Sequence, residues 1–349
     1  DAVAAAGSDV FAAMAAGLEV GGRIGAALRR AGGTATGEVG AVRGQGNVVF
    51  GAAVATGRLL GLSGDQMHHA MGIAGYSATV PTMRKFLESV NLPMTKYDHL
   101  ALMAQNGVQA ALLAQRGFTG DVEVLEGEEI GFWRFAGAQG CDWTALTDRL
   151  GTHWVLPEVT YKHYPAVLYN NSIIYEVQQL MRDASLTPDA IDRLEVRTFR
   201  RMAANRPLPT QYLEAWGNAA YTIAAGVYDV RPLRSWLEPN TFNRADLLAF
   251  MKKIEFKGLR DGEVTSTGNY WERWAPTRVT IEADGQFLEG GRDYHVPMDD
   301  PALVVKFHDN VGGMLSDEAA HQLERACWNL KGLGSIGDLT KILAGAHLA

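Results

Sequence analysis

The sequence predicts a mostly helical protein with a second, α+β domain. Residues 2–28, 48–61, 64–77 and 98–116 alternate small or apolar helical runs with glycine-containing breaks, which describes an all-helical block. Beyond residue 158 two runs switch to the two-residue period of a strand, Ile191 to Thr198 and Thr277 to Glu282, with helical runs before and between them. With 349 residues, of which 47 % are hydrophobic and 20 % charged, the chain has material for two globular cores.

Each element has a local reason. The opening helix is Ala-rich but carries Asp9, Glu19, Arg23, Arg29 and Arg30, so it is expected to pack as a soluble helix and not to cross a bilayer. Asp1 is not a methionine and helix begins at once, so the chain is expected to continue a longer one. No secretory pattern precedes the helix. Gly51-Ala52-Ala53-Val54-Ala55-Thr56-Gly57 offers small side chains that let helices approach closely. Leu60-Gly61-Leu62-Ser63 ends one helix and caps the next. Leu102, Met103, Val108, Ala111, Leu112 and Leu113 are expected to form the buried stripe of the following helix, which Gly117 terminates.

In the α+β region, helices are expected at 168–184, 212–227 and 244–254. The Ile191 strand alternates from Leu194 onward and the Thr277 strand throughout, so each should bury one face, and Ala283-Asp284-Gly285-Gln286 reads as a hairpin. After residue 305 helix returns, with Ser316 as a cap ahead of Asp317 and Glu318. The expected organisation is a helical domain over 1–157, an α+β domain over 158–305, and C-terminal helices over 306–349 that rejoin the first domain.

A formal charge of −7 excludes a broad basic surface, and nucleic acid with it, so any anion site must be local. Cys141 and Cys327 are too few for a disulfide framework and fit a reducing, cytoplasmic setting; both are read as core residues. Gly44-Gln45-Gly46 is followed by Val49 where a dinucleotide fingerprint needs glycine, and no P-loop, nucleophile-elbow or zinc-protease motif occurs. His68 and His69 are adjacent on a helix and cannot share a face, so no metal is called for.

The segment richest in chemistry is Pro93-Met94-Thr95-Lys96-Tyr97-Asp98-His99, at the start of a helix. Helix N-termini carry unpaired N–H groups and partial positive charge, and Lys96 and His99 lie three residues apart on one side of that first turn. A carboxylate is the ligand such a turn suits.

Taken in order, several segments resemble the MmgE/PrpD family. They are Phe50-Gly51-Ala52-Ala53 with Arg58-Leu59-Leu60-Gly61-Leu62, Thr95-Lys96-x-x-His99, and Asn106 to Ala114 with Gly117-Phe118-Thr119-Gly120. Val124-Leu125-Glu126-Gly127, Lys162-His163-Tyr164-Pro165, Tyr221 in its Ala-rich helix and Lys306 to Val311 extend the likeness over essentially the whole chain. The resemblance implies a helical domain plus an α+β lid, a homodimer, and metal- and cofactor-independent chemistry on a small polycarboxylate. Its members include 2-methylcitrate dehydratase, cis-aconitate decarboxylase and an iminodisuccinate epimerase, which share proton transfer at a carbon beside a carboxylate.

On that basis Lys96, His99, Lys162 and Tyr221 are the candidate catalytic residues. His99 is placed for proton transfer and the lysines for anion binding. Thr95, Arg43, Gln45, Asn47 and His163 are candidate substrate contacts. Two family histidines are replaced, one in Val42-Arg43-Gly44 and one at Val167, and a family segment carrying an acidic and histidine-containing part of the pocket has no counterpart before Asp1. Three readings follow: a cofactor-independent lyase of the 2-methylcitrate dehydratase type; an isomerase, epimerase or decarboxylase of a small polycarboxylate; or a catalytically silent metabolite-binding or partner subunit.

Overall fold

The computed structural model describes residues 4–31, 47–78, 92–136, 138, 140–198, 208–232, 234–260, 263 and 276–345, with backbone alone at 29–31 and 95–99. The chain forms two compact units, one of residues 1–89, 93–159 and 311–349, the other of residues 90–92 and 160–310.

The first unit is helical. Its main elements are α1 (Gly7–Ala31), α2 (Val48–Leu59), α3 (Gly64–Tyr76) and α4 (Thr95–Gln115), followed by two short helices, α5 (Phe132–Phe135) and α6 (Trp143–Thr147). Helix α2 lies between α1, α3 and α4. A Cβ on Gly17 would stand 2.5 Å from Gly51 O, and one on Gly51 would stand 2.6 Å from Gly17 O, so α1 and α2 touch backbone to backbone. Gly107 does the same for α4, where a Cβ would meet Val49 O at 2.6 Å. Around these contacts Ile24, Leu28, Val49, Phe50, Ala53, Ala74, Met103, Ala110 and Phe132 form the core, with Phe50 and Phe132 edge to face at 4.8 Å.

By length and apolar composition alone, helix α1 would also pass for a membrane span over Gly7–Leu28. In this unit it packs as a core helix, and its charges are used internally. Arg23 Nε donates to Glu19 Oε1 at 2.6 Å and its other nitrogens reach Asp148 O and His153 O, while Glu19 Oε2 accepts from Val155 N at 2.7 Å. Every strong group of this buried pair is satisfied, which is the condition for tolerating it.

The expected buried stripe of α4 is corrected. Leu102, Val108 and Leu112 are exposed, and the buried positions are Met103, Gly107, Ala110, Ala111 and Ala114. The close approach at Gly107 selects the small-residue face, where larger side chains would hold the helices apart. Cys327, read as core, is exposed; Cys141 is half-buried, and burial with the Asp142 charge pushes its thiol up to about 11.

The second unit is α+β. Helix α7 (Leu168–Asp183) precedes β1 (Ile191–Thr198). Helices α8 (Tyr212–Gly217), α9 (Ala219–Val227), α10 (Pro239–Phe242) and α11 (Ala245–Met251) lead to β2 (Ile254–Lys257), then β3 (Thr277–Ala283) and β4 (Gln286–Arg292). The sheet order is β2-β1-β3-β4, with β1 and β2 parallel and the remaining pairs antiparallel. Asp284 and Gly285 both take positive φ, 50° and 71°, as the two-residue hairpin requires. The single helix expected at 212–227 is divided at Asn218, whose side chain accepts from Tyr221 N and so caps α9.

Strand β3 buries alternate residues, as its pattern predicts. Strand β1 does not, because Leu194 through Thr198 are all buried. Leu194 and Val196 serve the apolar face. Glu195 and Arg197, on the other face, are enclosed by an ion-pair ladder: Arg197 to Glu195 at 2.7 Å, Lys257 to Glu195 at 2.5 Å, and Arg197 to Glu263 at 3.2 Å. Helix α7 packs on β3 and β4, where Glu176 pairs with Arg292 at 2.5 Å.

The C-terminal helices are α12 (Asp300–Val311), α13 (Asp317–Trp328) and α14 (Ile336–Gly345). Ser316 caps α13 by accepting from Ala319 N. Gly7 N donates to Leu333 O and Ile336 N to Ala5 O, which fastens this tail to the start of α1.

Substituting Gly51→Ala is expected to destabilise the protein by about 1–3 kcal/mol through overpacking, read as a lower urea midpoint at unchanged slope. Gly64→Ala, where nothing lies within 4 Å of the added carbon, is the control expected to be neutral or slightly stabilising.

Candidate functional site

The sequence-predicted site residues fall on both units. Thr95, Lys96 and His99 occupy the first turn of α4, which begins at Thr95, three residues before the predicted start. The N-cap is Met94, whose side chain makes no capping hydrogen bond. The side chains of Thr95, Lys96 and His99 lie outside the described residues, as do Arg43 and Gln45 entirely. Asn47 is half-buried and donates its Nδ2 to Gly21 O at 2.8 Å, joining α2 to α1. His69, on α3, bonds through Nδ1 to Gly120 O at 3.1 Å.

In the α+β unit the residues from Tyr161 to Val167 form a turn held onto α7 by one side chain. Asn171 Oδ1 accepts from Tyr164 N at 2.8 Å, and its Nδ2 donates to Val167 O at 3.1 Å. The Tyr164 ring stacks on Trp236 at 5.8 Å, and its hydroxyl donates to Gln178 Oε1 at 2.5 Å. This anchoring fixes Lys162, whose Nζ donates to Ala166 O at 3.1 Å and lies 5.4 Å from the Trp216 ring centre.

Tyr221 is placed differently from a pocket-lining residue. It is fully buried in α9, its hydroxyl donates to Trp236 O at 2.5 Å, and burial raises its phenol far above the usual range. The hydroxyl therefore ties α9 to the Trp236 segment.

Two basic residues that the sequence reading gave no role, His295 and Lys306, meet this turn beside the candidate His163. His163 Nε2 bonds to Val296 O at 3.1 Å, and His295 Nε2 bonds to Tyr161 O at 3.1 Å, so two histidines clamp the 161–164 and 293–296 segments reciprocally. Their rings are 6.2 Å apart. A carbonyl can only accept, so each Nε2 carries the hydrogen. Lys306, on α12, donates its Nζ to Lys162 O, and burial lowers its ammonium pKa. Burial first, then the charges of His163 and Lys162, also lower the pKa of His295, against the opposing effect of its bond to Tyr161 O.

Lys162, His163, His295 and Lys306 thus concentrate basic groups within a protein of net charge −7. Such a cluster can hold an anion, with each charge-assisted hydrogen bond worth roughly 1.5–3 kcal/mol. Lys306 had a sequence signal, since it opens one of the family-like segments; His295, alone in a coil after the hairpin, had none.

Fold and cluster define a class: a helical unit followed in the same chain by an α+β unit with a local basic site. Family models agree, the MmgE/PrpD N-terminal domain matching residues 1–142 and the C-terminal domain residues 164–330. The chain belongs to the MmgE/PrpD family. Among curated relatives, cis-aconitate decarboxylase of Homo sapiens is 26 % identical over 307 residues, covering 85 % of this chain and 61 % of the relative. Its Mus musculus counterpart is 24 % identical over 310 residues, with 85 % and 60 % covered. A cis-aconitate decarboxylase-like protein of Aspergillus oryzae is 24 % identical over 366 residues, with 97 % and 72 % covered. The chain therefore spans about three fifths of the length of the first two.

The lowered pKa of His295 has a consequence for stability. The unfolded chain protonates this residue near its ordinary 6.5 and the folded chain only at lower pH, so between the two values the unfolded state binds more protons. The His295 contribution is accordingly complete above about pH 6.5 and should be lost progressively below it. The urea midpoint is expected to fall between pH 7.5 and 5.5, and His295→Gln to make that fall smaller.

Proposed function

We propose that this protein is a cofactor-independent lyase that acts on a di- or tricarboxylate by proton transfer at a carbon next to a carboxylate. The observation that carries the reading is the basic cluster of Lys162, His163, His295 and Lys306 in a family member whose overall charge is negative. A polyanion would be drawn to that locality and to the first turn of α4, and repelled by the remainder of the surface.

The chemistry asks for two things. Removing a proton beside a carboxylate builds charge on an already anionic group, so cations and N–H donors must stand where that charge develops. Lys162 and Lys96 take this part, as anion-binding groups. A base must also accept the proton near neutral pH, and His99 has the side chain suited to it. The names of the curated relatives favour decarboxylation as the second reading, in which the same cations would hold the remaining carboxylates while carbon dioxide leaves. From the family we also propose a homodimer working in the cytoplasm, which light scattering and fractionation would test.

Proton NMR of citrate, 2-methylcitrate and cis-aconitate in D2O with the full-length protein reads dehydration, decarboxylation and exchange in one experiment. Product formation or deuterium incorporation is expected with at least one substrate. Lys162→Ala and Lys96→Ala should each lower kcat/KM by about 10- to 100-fold, the loss of one charge-assisted contact. Silence with every polycarboxylate would overturn the enzymatic reading.

A further inference from the structure

The carboxylate reading gives Lys162 an anion to hold. A lysine does this well only when its long stem is pre-organised, because free rotamers are costly to freeze on binding. Asn171 fixes the backbone of the turn at Tyr164 and Val167. The side chain of Tyr164, two residues beyond Lys162, is held by a separate device. Its ring is buried and lies nearly parallel to that of Trp236, 16° apart at 5.8 Å, and its hydroxyl meets Gln178, a half-buried residue of α7.

The Gln178 amide has two different ends, and both are used. Gly226 O can only accept, so Nε2 faces it and donates at 2.9 Å; Oε1 is left for Tyr164, whose hydroxyl donates at 2.5 Å. Burial pushes the Tyr164 phenol above its usual range, against the opposing charge of Arg182, so the hydroxyl keeps its proton. Gly226 makes the bridge possible. A Cβ there would stand 2.4 Å from Ile174 Cγ2, so α7 and α9 touch where Gln178 has to reach. Trp236 is tied to the same helix, since its carbonyl accepts from the Tyr221 hydroxyl of α9. Tyr164 is therefore clasped by two groups that are both anchored on α9. Directly before α9, α8 carries Trp216, whose ring centre stands 5.4 Å from Lys162 Nζ. Two consecutive helices thus set both the root of the Lys162 side chain and the surface on which its ammonium rests.

Resting on the carboxylate reading, we infer that Gln178 is a positioning residue: through Tyr164 it holds the turn of Lys162 against Trp216, so that the ammonium is already placed when a carboxylate arrives. Without Gln178 the Tyr164 hydroxyl and Gly226 O both lose their partner, and the Tyr164 ring keeps only its stack on Trp236. The turn loosens, the lysine stem regains rotamers, and an incoming anion has to order them again. Lys162 binds carboxylates alike before and during the reaction, so the loss falls on KM and not on kcat.

Steady-state kinetics of the full-length protein provide the test. Gln178→Met has a similar volume and no amide; it should raise KM about 3- to 10-fold, the equivalent of one hydrogen bond, with kcat and its pH profile near wild type. Tyr164→Phe removes the hydroxyl alone and should give the same change, and the double variant Tyr164→Phe/Gln178→Met no more than either single one. With Lys162→Ala already present, Gln178→Met should alter kcat/KM by less than about twofold, because the residue it acts through is gone. Acetylation with acetic anhydride, read by mass spectrometry, needs no substrate. Relative to the exposed Lys341, Lys162 should react about 2- to 10-fold faster in both single variants. Losses from Gln178→Met and Lys162→Ala that multiply, or a Lys162 acetylation rate unchanged in Tyr164→Phe, would overturn the role of Gln178 and leave the carboxylate reading intact. A wild-type protein that turns over no polycarboxylate, while acetylation still responds, would overturn the carboxylate reading and with it the positioning role.

Discussion

The backbone contact between Gly17 and Gly51 is the constraint on which the helical unit depends. Each glycine faces the other's carbonyl so closely that a methyl group on either side would enter the oxygen's contact radius. Helix α2 is thereby drawn against α1, and Gly107 draws α4 against α2 in the same way. Helices at that range place short side chains in the seam, which is why alanines dominate the buried face of α4 while Leu102, Val108 and Leu112 point outward. The position of the first turn of α4, with Lys96 and His99, follows from this packing.

Fully partnered charge secures the same unit from the other side of α1. Glu19 and Arg23 are buried together and spend their remaining capacity on backbone groups between Ala145 and Leu156. An isolated ion there would be prohibitive; a pair whose lone pairs and hydrogens are all engaged defines a unique docking of the 145–156 segment onto the helix.

The α+β unit uses polar groups for placement more than for adhesion. Asn171 pins the turn that carries Lys162, Asn218 divides and caps two helices, and the Glu195–Arg197–Lys257 ladder encloses the charged face of β1. Several buried polar atoms of this unit make no hydrogen bond, His295 Nδ1 and Thr160 Oγ1 among them. Both lie where Lys162, His163 and Lys306 gather. An acidic protein can concentrate binding energy for a polyanion there because a local field, more than net charge, governs a desolvated site.

What the sequence by itself determined was periodicity and punctuation. The four long helices α1 to α4 of the first unit, the Thr277 strand, the Asp284-Gly285 hairpin and the Ser316 cap all arise from contacts within a few residues, and all are legible in the residue pattern. The family-like segments carried Lys96, His99 and Lys162 as candidates, because short motifs survive in linear order. Tertiary structure alone decided the rest. Which face of α4 is buried depends on how near α2 can come; whether β1 is enclosed on both faces depends on Lys257 of β2 and on Glu263. Tyr221 reads as a candidate from its motif, yet its hydroxyl is committed to Trp236 O, fifteen residues away. His295 is a lone histidine in a coil until the fold brings it to Tyr161, 134 residues earlier. Local chemistry writes elements into a sequence, whereas burial and pairing are properties of what the chain meets at a distance.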